Sequence, residues 1–226
     1  MANKKNEDQN LILQRKNFDE YSANINDSRY RKVFRILKSR KKGKFLEIGC
    51  SSGDFLEKVK GLGYAVKGLE ISEEAARRGR KKFLDIKTGD AIKPLPFPKN
   101  YFDVILAGEI IEHTFDDSEF LEKVYKILKP NGTLIITTPN LVSLKNRILM
   151  LFGKDPRFAI APYHYKVYTP NQIRNLFKKS KFKYFKVLGN YVIYSKNREP
   201  FLGSFFEWLG GKFPSLAEHY IVMAKK

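Results

Sequence analysis

The 226-residue chain is poor in several things, and each shortage excludes something. It has one cysteine, so neither a disulfide framework nor a thiolate zinc site can be built, since each needs several thiols. No apolar run approaches the ~20 residues a membrane-spanning helix needs. The opening Met1-Ala2-Asn3-Lys4-Lys5-Asn6-Glu7-Asp8 is polar and holds none of the apolar stretch of a secretory signal, so a cytoplasmic protein is expected. Repeats and low-complexity linkers are absent. Acids are scarce: 24 Asp and Glu face 43 Lys and Arg, a formal charge of +19. That excess suggests an anionic partner such as nucleic acid, anionic lipid or a polyanionic glycan, or simply a lysine-rich composition. What remains is 42% hydrophobic, in a length suited to one domain with a real core.

The order of elements follows from periodicity. Residues 11–21 and 29–38 carry spaced apolars (Leu11, Leu13, Phe18, Tyr21; Tyr30, Val33, Phe34, Leu37) and read as two amphipathic helices. Strands are expected at 44–48, 65–70, 83–88, 101–107 and 133–138, and helices at 53–62 and 116–128. Gly63 ends the first of those helices, Ser72 caps a further one, and 129–132 is a turn. Such alternation indicates parallel βαβ units in a doubly wound α/β sheet. The last third changes character: helices at 143–152 and 170–179, then strands at 182–188 and 217–224 around an aromatic insertion at 201–208.

The first strand runs into Glu47-Ile48-Gly49-Cys50-Ser51-Ser52-Gly53. Gly49 permits a tight turn and close ligand approach, and Gly53 opens the helix. Glu70 lies 21 residues after Gly49, where a carboxylate would meet a ribose hydroxyl pair. A P-loop would need Gly-Lys-Ser/Thr, and a dinucleotide turn would need G-x-G-x-x-G where this chain has G-x-x-x-G. Glu47, two residues before the first glycine, would repel a pyrophosphate but suits a cationic ligand. S-adenosylmethionine is one, with an ammonium, a sulfonium and no phosphate. An ordinary βα turn with an incidental glutamate is the competing reading.

With Gly89-Asp90-Ala91 after the third strand and Gly108-Glu109 after the fourth, the sequence resembles the class I S-adenosylmethionine-dependent methyltransferases. It is most similar to the small-molecule group that includes ubiquinone-biosynthesis O-methyltransferases. The resemblance covers about 21–182 and implies a Rossmann-like sheet of seven strands, mostly parallel with an antiparallel last strand, and helices on both faces. It implies methyl transfer to a small-molecule, lipid or glycan acceptor at oxygen, with S-adenosylhomocysteine as product. Carried over by position, Glu47, Gly49, Cys50, Ser51 and Gly53 line the methionine side. Glu70 with Ile71 hold ribose and adenine, Asp90 with Ala91 hold the adenine, and Gly108 with Glu109 close the floor. The family often has glycine where this chain has Ser51; Cys50 reads as a small spacer. The chain then divides into N-terminal helices (1–42), a cofactor-binding core (43–140), an acceptor lid (141–181) and C-terminal strands with the insertion (182–226).

Residues 100–122 hold seven acids and no Lys or Arg. Within them, Glu109-Ile110-Ile111-Glu112-His113 would bring Glu109, Glu112 and His113 onto one face if helical, and His164 could close over them. The string resembles that of the metal-dependent 2′-O-methyltransferases of small-RNA 3′ ends, which would make these four the ligands of a divalent ion. Alternatively His113 or His164 is a metal-free general base, or the residues are structural. The base reading is carried forward, with no metal assigned; His219, in the last strand, reads as structural.

Leu141 to Asn190 should cover the acceptor pocket, with Tyr163, His164, Tyr165 and Tyr168 near its mouth, and Tyr21 closing from the N-terminal side or packing. The 201–209 segment is an interfacial membrane anchor beside Lys212, a dimer contact or, by preference, a helix packed on the sheet. Monomer and homodimer both stay open, as does nucleic acid through an RNA methyltransferase or a non-catalytic module. Charge is polar along the chain. Residues 29–44 carry nine bases and no acid, and 156–198 carry ten and no acid, whereas the expected cofactor floor is acidic. A basic lid would favour an anionic acceptor or a membrane surface, or is a solvated face.

Overall fold

The computed structural model describes residues 28–157, 164–193 and 200–226. The expected helix at 11–21, Tyr21 and Tyr163 lie outside these. The elements are α1 (Ser28–Lys38), β1 (Lys44–Ile48), α2 (Asp54–Gly61), β2 (Ala65–Glu70), α3 (Glu73–Arg80), β3 (Ile86–Thr88), β4 (Phe102–Gly108), a 3-10 turn Ile111–His113 and α4 (Asp117–Ile127). Then come β5 (Leu128–Pro139), α5 (Leu144–Leu151), α6 (Pro170–Lys179), β6 (Tyr184–Gly189), α7 (Pro200–Lys212), a 3-10 turn Pro214–Leu216 and β7 (His219–Lys225).

The seven strands form one sheet in the order β3-β2-β1-β4-β5-β7-β6. The first five pair in parallel, while β7 runs antiparallel to both β5 and β6. The expected sheet is therefore present, Rossmann-like, with the last strand β7 antiparallel between β5 and the edge strand β6. Its central strands are mostly apolar because both faces are covered, with Glu47 the buried acidic exception inside β1. Alternate residues go to opposite cores: Leu46, Ile105 and Ile136 pack with α4 and α6 residues such as Phe120, Val124 and Phe177. Phe45, Val104 and Ile135 pack with Val33 and Leu37 of α1 and with Phe55, Leu56 and Val59 of α2.

Boundaries deviate where local chemistry decides. The strand expected at 83–88 begins only at Ile86; Phe83 has φ +57° and projects into solvent. Residues 129–132, expected as a turn, fall within β5 as a register shift, Phe102 facing Leu128 and Val104 already facing Thr133, with Asn131 at φ +63°. The caps match their chemistry: Ser72, Asp116, Ser143 and Thr169 each accept a backbone N–H of the helix they start, Thr169 in a capping box with Gln172. Strand order reverses between β1 and β4, so their carboxyl ends open the crevice where ligands bind in such sheets.

Candidate functional site

Two clusters of chemistry-bearing side chains stand at that edge. The first is the turn after β1. Gly49, Ser51 and Gly53 have φ of +75°, +47° and +74°. Gly49 N–H donates to Leu69 O at 2.8 Å, and Gly53 N–H closes the turn on Cys50 O at 2.9 Å. Glycine is favoured at Gly49 by its positive φ; a Cβ would also press on the tip of the Ile110 side chain, which would have to shift. Ser51 adopts the same left-handed region with a side chain, a mildly strained choice.

Glu47 sits in the middle of the sheet, opposite Gly68 of β2 and Leu106 of β4. It is buried, and its Oε2 has no hydrogen-bond partner among the described residues. Burial, then the fields of Glu70 and Asp54, push its carboxyl well above the usual carboxylate range. Glu70 accepts from Ser51 N–H at 2.7 Å through Oε2 and from Ser72 N–H at 2.9 Å through Oε1, tying two loops together. The Cys50 thiol is pushed up by burial and by the same two glutamates, so it makes a poor nucleophile. Its sulfur fills the space left by Gly68, where a Cβ would lie 2.5 Å from Sγ, which fits a spacer role.

Gly89 N–H donates to Glu70 O at 2.8 Å, bringing the end of β3 alongside. Asp90 follows it. Its Oδ1 accepts from Ile92 N–H at 2.9 Å, while Oδ2 is buried without a partner among the described residues. Ile71 and Ala91 are half-buried around the same edge. Two buried carboxylate oxygens with free lone pairs, flanking a glycine turn that admits close approach, fit a ligand cationic at one end and rich in N–H at the other. S-adenosylmethionine meets that description.

The second cluster follows β4. Glu109 and Glu112 share one string but not one face. Glu109 has φ +55°, so the chain leaves β4 through a left-handed residue rather than a helix, and only Ile111–His113 make a 3-10 turn. The helical convergence of Glu109 with Glu112 and His113 is therefore corrected. Glu109 contacts Arg29 of α1 (Oε2 to NH1, 2.7 Å), accepts from Thr137 Oγ1 at 2.9 Å and lies 3.6 Å from His219 Nε2. Burial alone would raise its carboxyl, but Arg29, His219 and Thr137 outweigh it and hold it low. His219 and Asn190 close this network from β7 and the end of β6, His219 N–H donating to Asn190 Oδ1 at 3.0 Å.

Glu112 is fully buried. Its Oε2 accepts from Thr138 Oγ1 at 3.0 Å, and its Oε1 has no partner among the described residues. Burial, then repulsion from Glu109, push this carboxyl well up. The carbonyl of Glu112 accepts from Tyr165 N–H at 2.9 Å, and that bond carries His164 to His113, with ring centroids 4.8 Å apart. Ligand atoms of Glu112, His113 and His164 all lie within 4.8 Å of one another, so these three could hold a metal ion. Tyr168 steadies the segment, donating to Asp117 Oδ2 at 3.1 Å.

Of the residues expected from sequence, the glycine turn, Glu70, Asp90 and Gly108 thus share one edge with the Glu112–His113–His164 group. Arg29, Thr137 and Thr138 were not expected. Arg29 stands first in a basic run and reads as surface, although the structure buries it. The threonines could have been found, since they end the strand next to β4 at the carboxyl edge, where ligands sit.

Comparison with known proteins bears on this arrangement. Residues 14–187 match the family described as Methyltransferase domain. A Mycolicibacterium smegmatis protein named "Probable S-adenosylmethionine-dependent methyltransferase" is 27% identical over 164 residues, 71% of this chain and 60% of that protein. A ubiquinone biosynthesis O-methyltransferase of Caulobacter vibrioides is 38% identical over 101 residues, 42% of this chain and 40% of that protein. The chain thus matches 40–60% of the length of these two curated relatives. Among solved structures, a SAM-dependent methyltransferase from Archaeoglobus fulgidus superposes with a TM-score of 0.64 at 24% identity, covering 88% of this chain and 92% of that one. At that identity the likeness speaks for the fold.

Proposed function

The chain belongs to the methyltransferase-domain family, and from that premise we propose that it uses S-adenosylmethionine to methylate an oxygen of a small-molecule acceptor. The observation that carries the reading is Glu47: a buried carboxyl oxygen without a partner among the described residues, behind a glycine turn at the carboxyl edge of β1. A cation placed there would relieve the repulsion among Glu47, Glu70 and Asp54 that a neutral or anionic ligand would leave standing.

In this reading Glu47, Gly49, Cys50, Ser51 and Gly53 bind the methionine portion of the cofactor. Glu70 and Ile71 hold its ribose, Asp90 and Ala91 its adenine, and Gly108 and Glu109 form the floor. The cofactor supplies a methyl group already activated on a sulfonium. What the protein adds is orientation, exclusion of water and, for a neutral hydroxyl acceptor, removal of a proton. His113 and His164 are the groups for that proton, since their rings stand together at 4.8 Å beside the buried Glu112. One observation favours a variant of this reading. Glu112, His113 and His164 also meet the spacing of a divalent-cation site, and a cation there would lower the acceptor hydroxyl's pKa instead.

Calorimetry of S-adenosylmethionine binding, followed by methyl-transfer assays on phenol, catechol, carboxylate, glycan and RNA acceptors with and without chelator, tests the proposal. Cofactor binding with turnover of a hydroxylated small molecule is expected. Chelator-resistant turnover that His113→Ala lowers by about 10²–10⁴-fold selects the base; chelator-sensitive turnover selects the cation. Absence of cofactor binding, or turnover of RNA alone, would refute the small-molecule reading.

A further inference from the structure

On the edge strand β6, α7 is mounted in an unusual way. Its only charged residues are Glu207 and Lys212. One face is pinned inward: Val192 N–H donates to Phe206 O at 3.2 Å. A Cβ on the buried Gly210 would sit 2.9 Å from the Cα of Tyr191, so helix and chain meet almost backbone to backbone. The opposite face carries Phe205 and Trp208, stacked with ring centroids 6.0 Å apart. They are 46% and 56% exposed, and Phe213, just beyond the helix, is 45% exposed. A tight inner face does not need aromatic side chains on the outer one, and the stability of the fold gains little from them.

The surround is cationic. An open groove of about 450 Å³ between α1 and α7 is lined by Lys32, Arg35, Ser204, Glu207, Trp208 and Lys212. Lys212 Nζ lies 5.2 Å from the Trp208 ring and 5.8 Å from that of Phe213. Glu207, the acid of the groove, is taken by Arg35 at 2.5 Å. Lys32, half-buried, donates to Gly189 O at 2.5 Å; burial lowers its pKa, Glu207 opposes that, and Arg35 and Lys186 are neighbouring cations. Leu188 packs into the same core as Val33 and Leu37, so the period of β6 puts Lys186 and the exposed Tyr184 on the α1 face too.

We propose that this face, formed by Phe205, Trp208 and Phe213 within the ring of Lys32, Arg35, Lys186 and Lys212, docks the protein on an anionic lipid surface. Aromatic rings enter the headgroup boundary while lysine and arginine meet the phosphates. Charge complementarity selects this occupant. A twofold contact between copies would set the same cations against themselves in a +19 chain. No helix among the described residues is long and apolar enough to cross a membrane, so the attachment is to the surface.

Trp208 is the only tryptophan in the chain, so its emission reports this face directly. The protein is mixed with phosphatidylcholine vesicles, with and without phosphatidylglycerol, and followed by Trp208 fluorescence and co-sedimentation. A blue shift and sedimentation only with phosphatidylglycerol, weakening with salt, are expected. Lys212→Ala lowers partition about fivefold and Phe205→Ala about tenfold. Phe83→Ala, which removes an exposed aromatic near the other edge of the sheet, leaves it unchanged. An unshifted Trp208 with anionic vesicles overturns the proposal. So does an equal shift produced by raising protein concentration alone, by poly-uridylate, or lost equally in Phe83→Ala. None of these readouts depends on the reaction proposed above.

Discussion

Replacing Glu47 by glutamine keeps the shape of a side chain buried at the centre of the sheet and removes only its ability to ionise. Two opposite effects follow. In the free protein the Glu47 carboxyl is raised by burial and by its two acidic neighbours. Between the ordinary glutamate range and that raised value, the folded state holds a proton the unfolded chain has released. Stability therefore falls as pH rises through this window. Glu47→Gln removes that slope, so at mildly alkaline pH the variant is more stable than the parent in urea titrations. Cofactor binding moves the other way. A charge-assisted contact of this kind is worth about 1.5–3 kcal/mol, so the dissociation constant for S-adenosylmethionine rises by about tenfold to a hundredfold. In the parent, a cation favours the ionised carboxylate, so affinity increases with pH and binding releases a proton, visible as heat that depends on the buffer. The variant shows no such buffer dependence. Unchanged affinity in Glu47→Gln, or a parent affinity that falls with rising pH, would refute the argument that this carboxylate receives the cation.

Other consequences are more local. Arg29→Met leaves the half-buried Glu109 with His219 and Thr137 among the described residues, and should cost about 1–3 kcal/mol in chemical denaturation, part of it recovered in the double variant with Glu109→Gln. Ser51→Gly relieves a side chain held at φ +47° but adds unfolded-chain freedom, so a gain of at most about 1 kcal/mol is expected; a clear loss would mean that the serine side chain is needed. Asp103, though partly desolvated, is held low by Lys129 at 2.7 Å and by Lys44 N–H at 2.8 Å. Its contribution is present above the ordinary aspartate range and lost as pH falls through the lowered value. Asp103→Asn should flatten the acid limb of the stability profile by well under 1 kcal/mol, given how exposed the pair is.

Most of the sheet could be read from the chain because its signals are local and mutually consistent. The apolar runs of β1, β4 and β5 are too short for helices, α3 and α4 start at Ser72 and Asp116 caps, and Gly49, Gly53 and Gly63 all occupy left-handed positions. The misreadings fell where tertiary contact overrides local preference. Residues 182 and 183 looked like strand because Phe182 is apolar, but its ring is spent against Tyr125 and Phe177 before β6 begins. The aromatic insertion was read as a helix packed on the sheet, and half of it is; a linear pattern could not tell that Phe205 and Trp208 would face away from the core.

The candidate site was legible in its residues and not in its partition. Glu109, Glu112 and His113 follow one another closely enough to suggest one face of a helix, and chain spacing alone cannot separate them. The separation comes from one backbone angle. At φ +55°, Glu109 turns the chain out of β4 so that the two carboxylates meet different neighbours: Arg29, Thr137 and His219 for the first, Thr138 for the second. Their affinities for protons then move apart, Glu109 down and Glu112 up, each shift reinforcing the other because one fixed negative charge opposes a second close by. Two acids in one string thus take two roles. Glu109 is a fixed anion binding α1 to the end of β4, and Glu112 is a buried carboxyl beside His113 and His164 with a lone pair to give. Arg29 bears on both: it neutralises Glu109, which lessens the repulsion that Glu112 feels, and its own field also favours the ionised form of Glu112.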